Sequence, residues 1–125
     1  MEDRKAMTLR EVRDILDAEV LCGEHLLDSD VKTGFACDLI SEMLAHAGSY
    51  TLLITTLTNA HVIHTAEVMD AVAVVFAGGK RPDAAMIKAI NGGRIPLLAT
   101  DHLIFKCCGL LFKHGIEAGD RGPLQ

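Results

Sequence analysis

Aromatic residues are scarce in this chain of 125 residues, which contains no tryptophan, one tyrosine and four phenylalanines. Because half of the residues are nevertheless apolar, the core has to be built from Val, Ile, Leu, Ala and Met. Such a core is typical of parallel sheets that helices cover. The length is that of one ordinary domain, and it allows about two thirds of the unfolded chain's surface to be buried. We therefore expect one α/β domain.

Positive charge and membrane-type segments are also lacking. The formal net charge of −5 disfavours a nucleic-acid partner, since backbone binding depends on Lys and Arg that neutralise phosphates. No apolar run approaches the roughly 18 residues of a membrane helix, and residues 1–5 lead into no signal-peptide segment. The four cysteines do not follow the spacing of a secreted disulfide scaffold. We predict a cytoplasmic protein with reduced, buried cysteines and no membrane partner.

Motifs of catalysis and nucleotide binding are absent from the sequence. The glycine pair before Lys80 is not a P-loop, because no glycine lies five residues before Gly79 and Lys80 is followed by Arg81. The sequence contains no GxGxxG, HExxH, CxxC or GxSxG pattern. These absences predict a protein without an enzymatic activity of its own.

Two groups of residues resemble reactive sites only in part. His61, His64 and Glu67 follow one another at three-residue spacing, which can bring two imidazoles near a metal, but a third ligand is missing. Cys37 precedes a predicted helix N-terminus, where a thiol pKa can fall, yet the adjacent Asp38 opposes this effect. A buried apolar role is favoured for this cysteine. We predict no catalytic residue, no metal and no cofactor.

Capping residues mark the start of five predicted helices. They are the capping box of Thr8 and Glu11, and then Asp38, Asn59, Asp83 and Asp101. Apolar strands are predicted at 19–22, 31–37, 50–55, 72–77 and 95–99, with Gly34 interrupting the second. The helix after Asp83 is predicted to end at 91–93, and the last helix at Lys113.

Regular alternation of continuous apolar strands with helices predicts an α/β fold of three layers with a mostly parallel central sheet. The first two strands do not fit this alternation, and we place them at an edge of the sheet or in a small β subunit. We predict a single domain over 8–116, a frayed N-terminus at 1–7 and a polar tail at 117–125.

The predicted ligand site lies beyond the carboxyl ends of the strands, where open α/β sheets bind ligands. Its candidate residues are Thr56, Thr58, Asn59, Gly78, Gly79, Lys80, Thr100 and Asp101. The glycine pair lets the backbone approach an anion, and Lys80 and Arg81 add positive charge. Alternatively, the glycines only form the turn into the next helix. Acidic N-caps would repel a phosphate, so the turn is favoured as the primary role.

Five stretches make the chain similar to the DRTGG domain family over nearly its whole length: MTLREVRDILDAEVLCG, FACDLISEML, LLITTLTNAHVIHTAEV, AVVFAGGKRPD and IPLLATDHLIF. Where the family name calls for Asp-Arg this sequence has Thr58-Asn59, and where it calls for Thr-Gly-Gly it has Ala77-Gly78-Gly79. The resemblance implies a fold like the N-terminal domains of MurF and HPr kinase. DRTGG domains occur alone in small proteins and as regulatory parts of phosphate acetyltransferases and CBS-type pyrophosphatases.

The resemblance implies a non-catalytic, homodimeric regulatory module. We expect it to sense a small ligand, such as a nucleotide or another phosphorylated metabolite, at the strand ends. An alternative is a protein-interaction adaptor without a small-molecule ligand. Its candidate surface is the last helix, because apolar residues surround most of that helix. These residues are Leu103, Ile104, Phe105, Cys107, Cys108, Leu110, Leu111 and Phe112.

Overall fold

The computed structural model describes residues 7–46, 48, 50–90 and 94–118. Its strands are β1 (Met7–Thr8), β2 (Glu19–Cys22), β3 (Asp30–Val31), β4 (Thr33–Ala36), β5 (Thr51–Thr55), β6 (Ala73–Phe76), β7 (Leu97–Ala99) and β8 (Glu117–Ala118). Its helices are α1 (Leu9–Leu16), α2 (Ile40–Ala45), α3 (Ala60–Val68), α4 (Ala84–Ile90) and α5 (Ile104–Lys113). A short 3₁₀ turn, Glu24–Leu26, follows β2.

Six strands form the central sheet in the order β2-β7-β6-β5-β4-β8. All neighbouring pairs are parallel except β2 with β7, so the sheet is mostly parallel, as predicted. Strand β2 lies at one edge, where the sequence pattern placed it. The predicted strand at 31–37 is divided between two sheets: β3 pairs with β1 in a separate two-stranded sheet, and β4 joins the central one.

Side chains alternate between the two faces of the sheet and separate the core into two clusters. Leu52 and Ile54 pack on the face that α1 and α5 cover, whereas Leu53 packs on the face that α2, α3 and α4 cover. The protein therefore has the three predicted layers. The chain crosses the sheet from β4 to β7 with helices on one face and returns to β8 through α5 on the other. This change of face is what right-handed crossovers require when the direction of travel reverses.

The structure differs from the prediction at Gly34 and at the two termini of the domain, because backbone pairing continues through these positions. Gly34 does not interrupt a strand; it pairs with β5 and β8, and a Cβ there would come within 3.2 Å of the Ile116 side chain. Met7 belongs to β1, and Glu117–Ala118 pair in parallel with β4. The three residues assigned to frayed termini are therefore in strands, while 1–6 and 119–125 lie outside the described residues.

The capping predictions are confirmed at two helices and wrong at two. Thr8 and Glu11 form the capping box of α1, and Asn59 accepts a hydrogen bond from the Val62 amide at the start of α3. Helices α2 and α5 have Leu39 and Leu103 at their N-caps, without a side-chain hydrogen bond. Asp38 and Asp101 lie before those caps and contact other parts of the chain. Neither carboxylate therefore caps its helix, although each lies within two residues of the N-cap.

At the remaining helix, α4, the Asp83 carboxylate accepts a hydrogen bond from the Ala85 amide. The predicted end of that helix at 91–93 lies outside the described residues. The four cysteines form no disulfide, and only Cys107 is fully buried. The prediction of burial is wrong for the other three, which are half-buried. No helix in the described ranges is long and apolar enough to span a bilayer.

Candidate functional site

The carboxyl ends of the parallel strands β4 to β7 meet along one edge of the sheet. The helix after β6 packs on one face and the helix after β7 on the other. The loop 78–82, after β6, and the loop 100–103, after β7, therefore lead to opposite faces of the sheet, although β6 and β7 are adjacent strands. In open α/β sheets such a divergence is where ligands bind, and we call this place the switch-point site.

The glycine pair at the end of β6 forms a tight turn whose amides are used inside the protein. Gly78 and Gly79 have φ angles of 79° and 77°, which glycine adopts without steric cost. The Gly78 amide donates to the His102 carbonyl at 2.7 Å, and the Gly79 amide donates to the Thr100 carbonyl at 3.0 Å. A phosphate bound by these amides would have to displace both bonds. The geometry therefore favours the turn over a phosphate cradle as the role of the pair.

Asp38, at the end of β4, binds the neighbouring strand end. One carboxylate oxygen accepts hydrogen bonds from the Thr55 hydroxyl and the Thr56 amide, both at 2.7 Å, and the other accepts from the Thr56 hydroxyl at 2.6 Å. Burial raises the pKa of the Asp38 carboxyl. The hydrogen bonds from Thr56 and Thr55, together with the charge of Lys80, outweigh burial and hold this pKa below its ordinary value.

Thr100, one of the predicted ligand residues, faces inward. Its residue surface is 2% exposed, and its hydroxyl donates to the Leu16 carbonyl at 2.7 Å. The same oxygen accepts from the His102 amide at 3.3 Å. This hydroxyl therefore joins the loop after β7 to the end of α1 and is not directed at a ligand.

Other predicted residues present groups at the surface of this edge. Within the described residues, Thr58 and Lys80 form neither a hydrogen bond nor an ion pair, although the charge of Lys80 acts on Asp38. Asn59 is exposed and uses its side-chain oxygen as the cap of α3. Asp101 has 87% of its side chain exposed. The side chains of Lys80 and Asp101 are thus accessible at this edge, whereas the amides of Gly78 and Gly79 are not.

Arg81 joins the loops of the switch-point site and was not among the predicted site residues. Its Nε donates to Glu19 at 3.0 Å, and one terminal nitrogen lies 3.6 Å from an Asp101 oxygen. That nitrogen also donates to the Gly79 carbonyl at 3.4 Å. Glu19 pairs with Ala99 in the antiparallel register of β2 and β7. Only this pairing brings a carboxylate 62 residues away beside Arg81, so local sequence gave no signal of it.

Metal ligation receives no support from the described side chains. Among them, no group of three or more His, Cys, Asp or Glu residues could hold a metal ion. His61 and His64 are exposed on α3. Cys37, the other partial candidate, accepts a hydrogen bond from the Leu39 amide at 3.2 Å.

A second surface lies on α5, away from the strand ends. Phe105 and Phe112 are 87% and 70% exposed, and Leu103 is 71% exposed. The two phenylalanines are seven residues apart, so they lie on one side of the helix with Gly109 between them. They border an apolar groove of about 310 Å³. Its lining consists of Gly34, Ile54, Phe105, Cys108, Gly109, Leu111, Phe112 and Ile116. We call this surface the α5 groove.

Comparison with solved structures identifies the fold. The CBS and DRTGG domains of the regulatory region of Clostridium perfringens pyrophosphatase, solved in complex with the activator diadenosine tetraphosphate, align with a TM-score of 0.70 at 14% identity. The alignment covers 100% of this chain and 58% of that one. At this identity the likeness shows a shared fold, and this chain spans little more than half of the other's length.

Comparison of sequences gives one result for families and another for individual proteins. No curated protein matches the chain. The family model for the DRTGG domain matches residues 11–111, which is most of the chain and includes both loops of the switch-point site. The chain therefore belongs to the DRTGG domain family.

Proposed function

We propose that this protein is a non-catalytic, homodimeric regulatory module that binds a small phosphorylated ligand, such as a nucleotide, at the switch-point site. The residues that we assign to the site are the eight predicted from the sequence: Thr56, Thr58, Asn59, Gly78, Gly79, Lys80, Thr100 and Asp101. Their contacts give them different roles. Lys80, Thr58 and Asn59 offer side chains to the ligand, whereas the glycines and Thr100 shape the loops.

The observation that carries the proposal is the position of Lys80. Lys80 is exposed in the loop after β6, its charge lowers the pKa of Asp38 at the end of β4, and it has no hydrogen bond or ion pair within the described residues. A lysine in this position attracts phosphate as a point charge. Asp38 is fully hydrogen-bonded to Thr55 and Thr56 and holds the adjacent loop in place. The arrangement supports binding and positioning of an anion.

The structural neighbour supports a nucleotide as the ligand class. The regulatory region of that pyrophosphatase was solved with an activator that consists of two adenosines joined by four phosphates. A shared fold makes related ligands reasonable first probes. We therefore include adenine nucleotides and diadenosine tetraphosphate among the compounds to be tested.

Ligand binding is tested by calorimetric titration and thermal melting with ATP, ADP, AMP, diadenosine tetraphosphate and inorganic pyrophosphate. A compound that binds only the folded state raises Tm by mass action. We expect Lys80→Ala to weaken binding about 10- to 150-fold, because a hydrogen bond to a charged group contributes about 1.5–3 kcal/mol. The matched control is Lys113→Ala, in the last turn of α5, which should leave the dissociation constant unchanged. Absence of binding by every compound at millimolar concentration would refute ligand sensing.

A second candidate function, that of a protein-interaction adaptor, is favoured by the α5 groove. Aromatic side chains bury about 150–250 Å² each, so Phe105 and Phe112 at their present exposure offer roughly a third to a half of the ~800 Å² that one partner contributes to a standard interface. The same surface is the candidate contact between subunits of the proposed homodimer.

Light scattering coupled to gel filtration tests the proposed dimer contact. We expect Phe112→Glu to give monomers, since a carboxylate would be desolvated in the apolar contact. Val68→Glu is the matched control, because Val68 is 60% exposed but lies on α3, on the opposite face of the sheet. A Phe112→Glu variant that remains dimeric would exclude the α5 groove as the subunit contact. A monomeric wild-type protein that binds none of the compounds would favour the adaptor.

A further inference from the structure

Arg81 enters the sequence analysis only as a source of positive charge beside Lys80, and the structure shows which groups it binds. Its side chain extends from the loop after β6 across the end of β7 toward the first residue of β2. On this path it meets a carboxylate from Glu19 and another from Asp101. The guanidinium therefore contacts both loops that define the switch-point site, at the Gly79 carbonyl and at Asp101.

The carboxylates that hold Arg81 are weak partners. The side chains of Arg81, Glu19 and Asp101 are 39%, 59% and 87% exposed. Ion pairs between exposed side chains contribute little, because water competes for both charges and the side chains lose conformational freedom. The longer contact of 3.6 Å, to Asp101, exceeds the usual length of a charge-assisted hydrogen bond.

A phosphate group is a stronger partner for a guanidinium than either carboxylate. Arginine presents a planar fork of N–H donors that matches two phosphate oxygens at once. A polyphosphate also carries more than one negative charge near the site. It can therefore displace an exposed carboxylate at small cost, and Lys80 on the preceding position adds to the attraction.

We propose that Arg81 contacts the anionic part of the ligand at the switch-point site and that Glu19 competes with the ligand for it. This inference rests on the proposed function, because it concerns the same ligand. It makes Glu19 an internal competitor that sets the affinity of the site. It also predicts that ligand binding loosens the link between the loop after β6 and the edge strand β2.

Calorimetric titration with inorganic pyrophosphate and with ATP tests this competition. Glu19→Gln keeps the size of the side chain and removes its charge, so it should tighten binding about two- to fivefold, the range that one exposed ion pair allows. Arg81→Ala should weaken binding at least tenfold, and Arg81→Lys should restore it only in part. Glu24→Gln is the matched control: Glu24 is exposed, and its side chain has no hydrogen bond or ion pair within the described residues.

Nuclear magnetic resonance gives an independent measurement. In protein labelled with ¹⁵N, the Arg81 Nε–H signal should move when pyrophosphate saturates the site, because its acceptor changes from Glu19 to a phosphate oxygen. Melting temperatures of the variants show that each is folded before its affinity is interpreted.

The outcomes separate this inference from the proposed function. Binding that depends on Lys80 but is unaffected by Arg81→Ala and Glu19→Gln would overturn the role of Arg81 and leave the ligand site standing. If Glu19→Gln and Glu24→Gln tightened ligand binding equally, the effect would be one of net charge, and the proposed competition would be overturned. Absence of binding by the wild type and by Glu19→Gln would overturn both proposals.

Discussion

Asp38 should stabilise the fold through the bonds that it accepts from the end of β5. Thr55 is fully buried, and its hydroxyl donates to this carboxylate at 2.7 Å. Asp38→Ala leaves that buried donor without its acceptor, which costs about 1–3 kcal/mol. The groups of Thr56 are at the surface and can turn to water, so they add little. We expect a loss of about 2 kcal/mol and a fall in Tm of roughly 6–10 °C.

Urea denaturation of four variants isolates this contribution. Asp28→Ala is the control, because its side chain is 82% exposed and pairs with Arg10, which is 47% exposed, and it should cost less than about 1 kcal/mol. In the double variant with Thr55→Val, both partners are gone, so the loss should be smaller than the sum of the single losses. Additive losses, or an Asp38→Ala loss below about 0.5 kcal/mol, would refute the assignment.

The same interaction predicts a dependence on pH. The pKa of Asp38 is held below its ordinary value in the folded state, so the unfolded chain binds this proton at higher pH than the folded one. The stabilisation is therefore complete above the unfolded pKa of about 3.9 and is lost as pH falls through the folded pKa. The difference in stability between wild type and Asp38→Ala should be constant above about pH 5 and should shrink in acid. A difference that is as large in acid as it is above pH 5 would contradict this account.

Three further substitutions test the backbone and the buried loop by urea denaturation. Gly23→Ala should cost at least about 3 kcal/mol, because φ is +84° and a Cβ would lie 2.5 Å from the Pro96 Cα; a loss below about 1 kcal/mol would contradict the contact. Gly109→Ala should stabilise by about 0.5–1 kcal/mol, since its Cβ would meet nothing within 4 Å on α5, and a destabilised variant would contradict that open space. Thr100→Val should cost about 1–3 kcal/mol by depriving the Leu16 carbonyl of its donor, whereas an unchanged midpoint would show that water replaces the hydroxyl.

The sequence predicted the architecture well because the pattern that encodes it is local. Continuous apolar strands and capped helices define a parallel three-layer sheet without knowledge of any distant contact. The family resemblance rests on the same stretches and is confirmed. Asn59 illustrates a local rule that holds: the residue that caps α3 and the amide that it binds are three positions apart.

The details of the site were harder to predict because they depend on contacts between distant parts of the chain. The carboxylate of an aspartate that follows a strand can accept hydrogen bonds from the next helix or from a neighbouring strand, and sequence spacing does not distinguish the two. Asp38 accepts hydrogen bonds from Thr55 and Thr56, which are 17 and 18 residues away. Asp101 forms an ion pair with Arg81. The availability of the Gly79 amide likewise depends on the register of β6 and β7.

The Gly78 and Gly79 amides bond to main-chain carbonyls, so the shape of the loop is set independently of its side chains. The turn is held by main-chain atoms, so exchanging the side chains around it does not alter the course of the backbone. Under the proposed function, related domains that keep the two glycines can differ at Lys80 and Thr58 and bind different ligands without a change in this turn. For protein engineering, these two positions are the ones to randomise first, because Asn59 also caps α3.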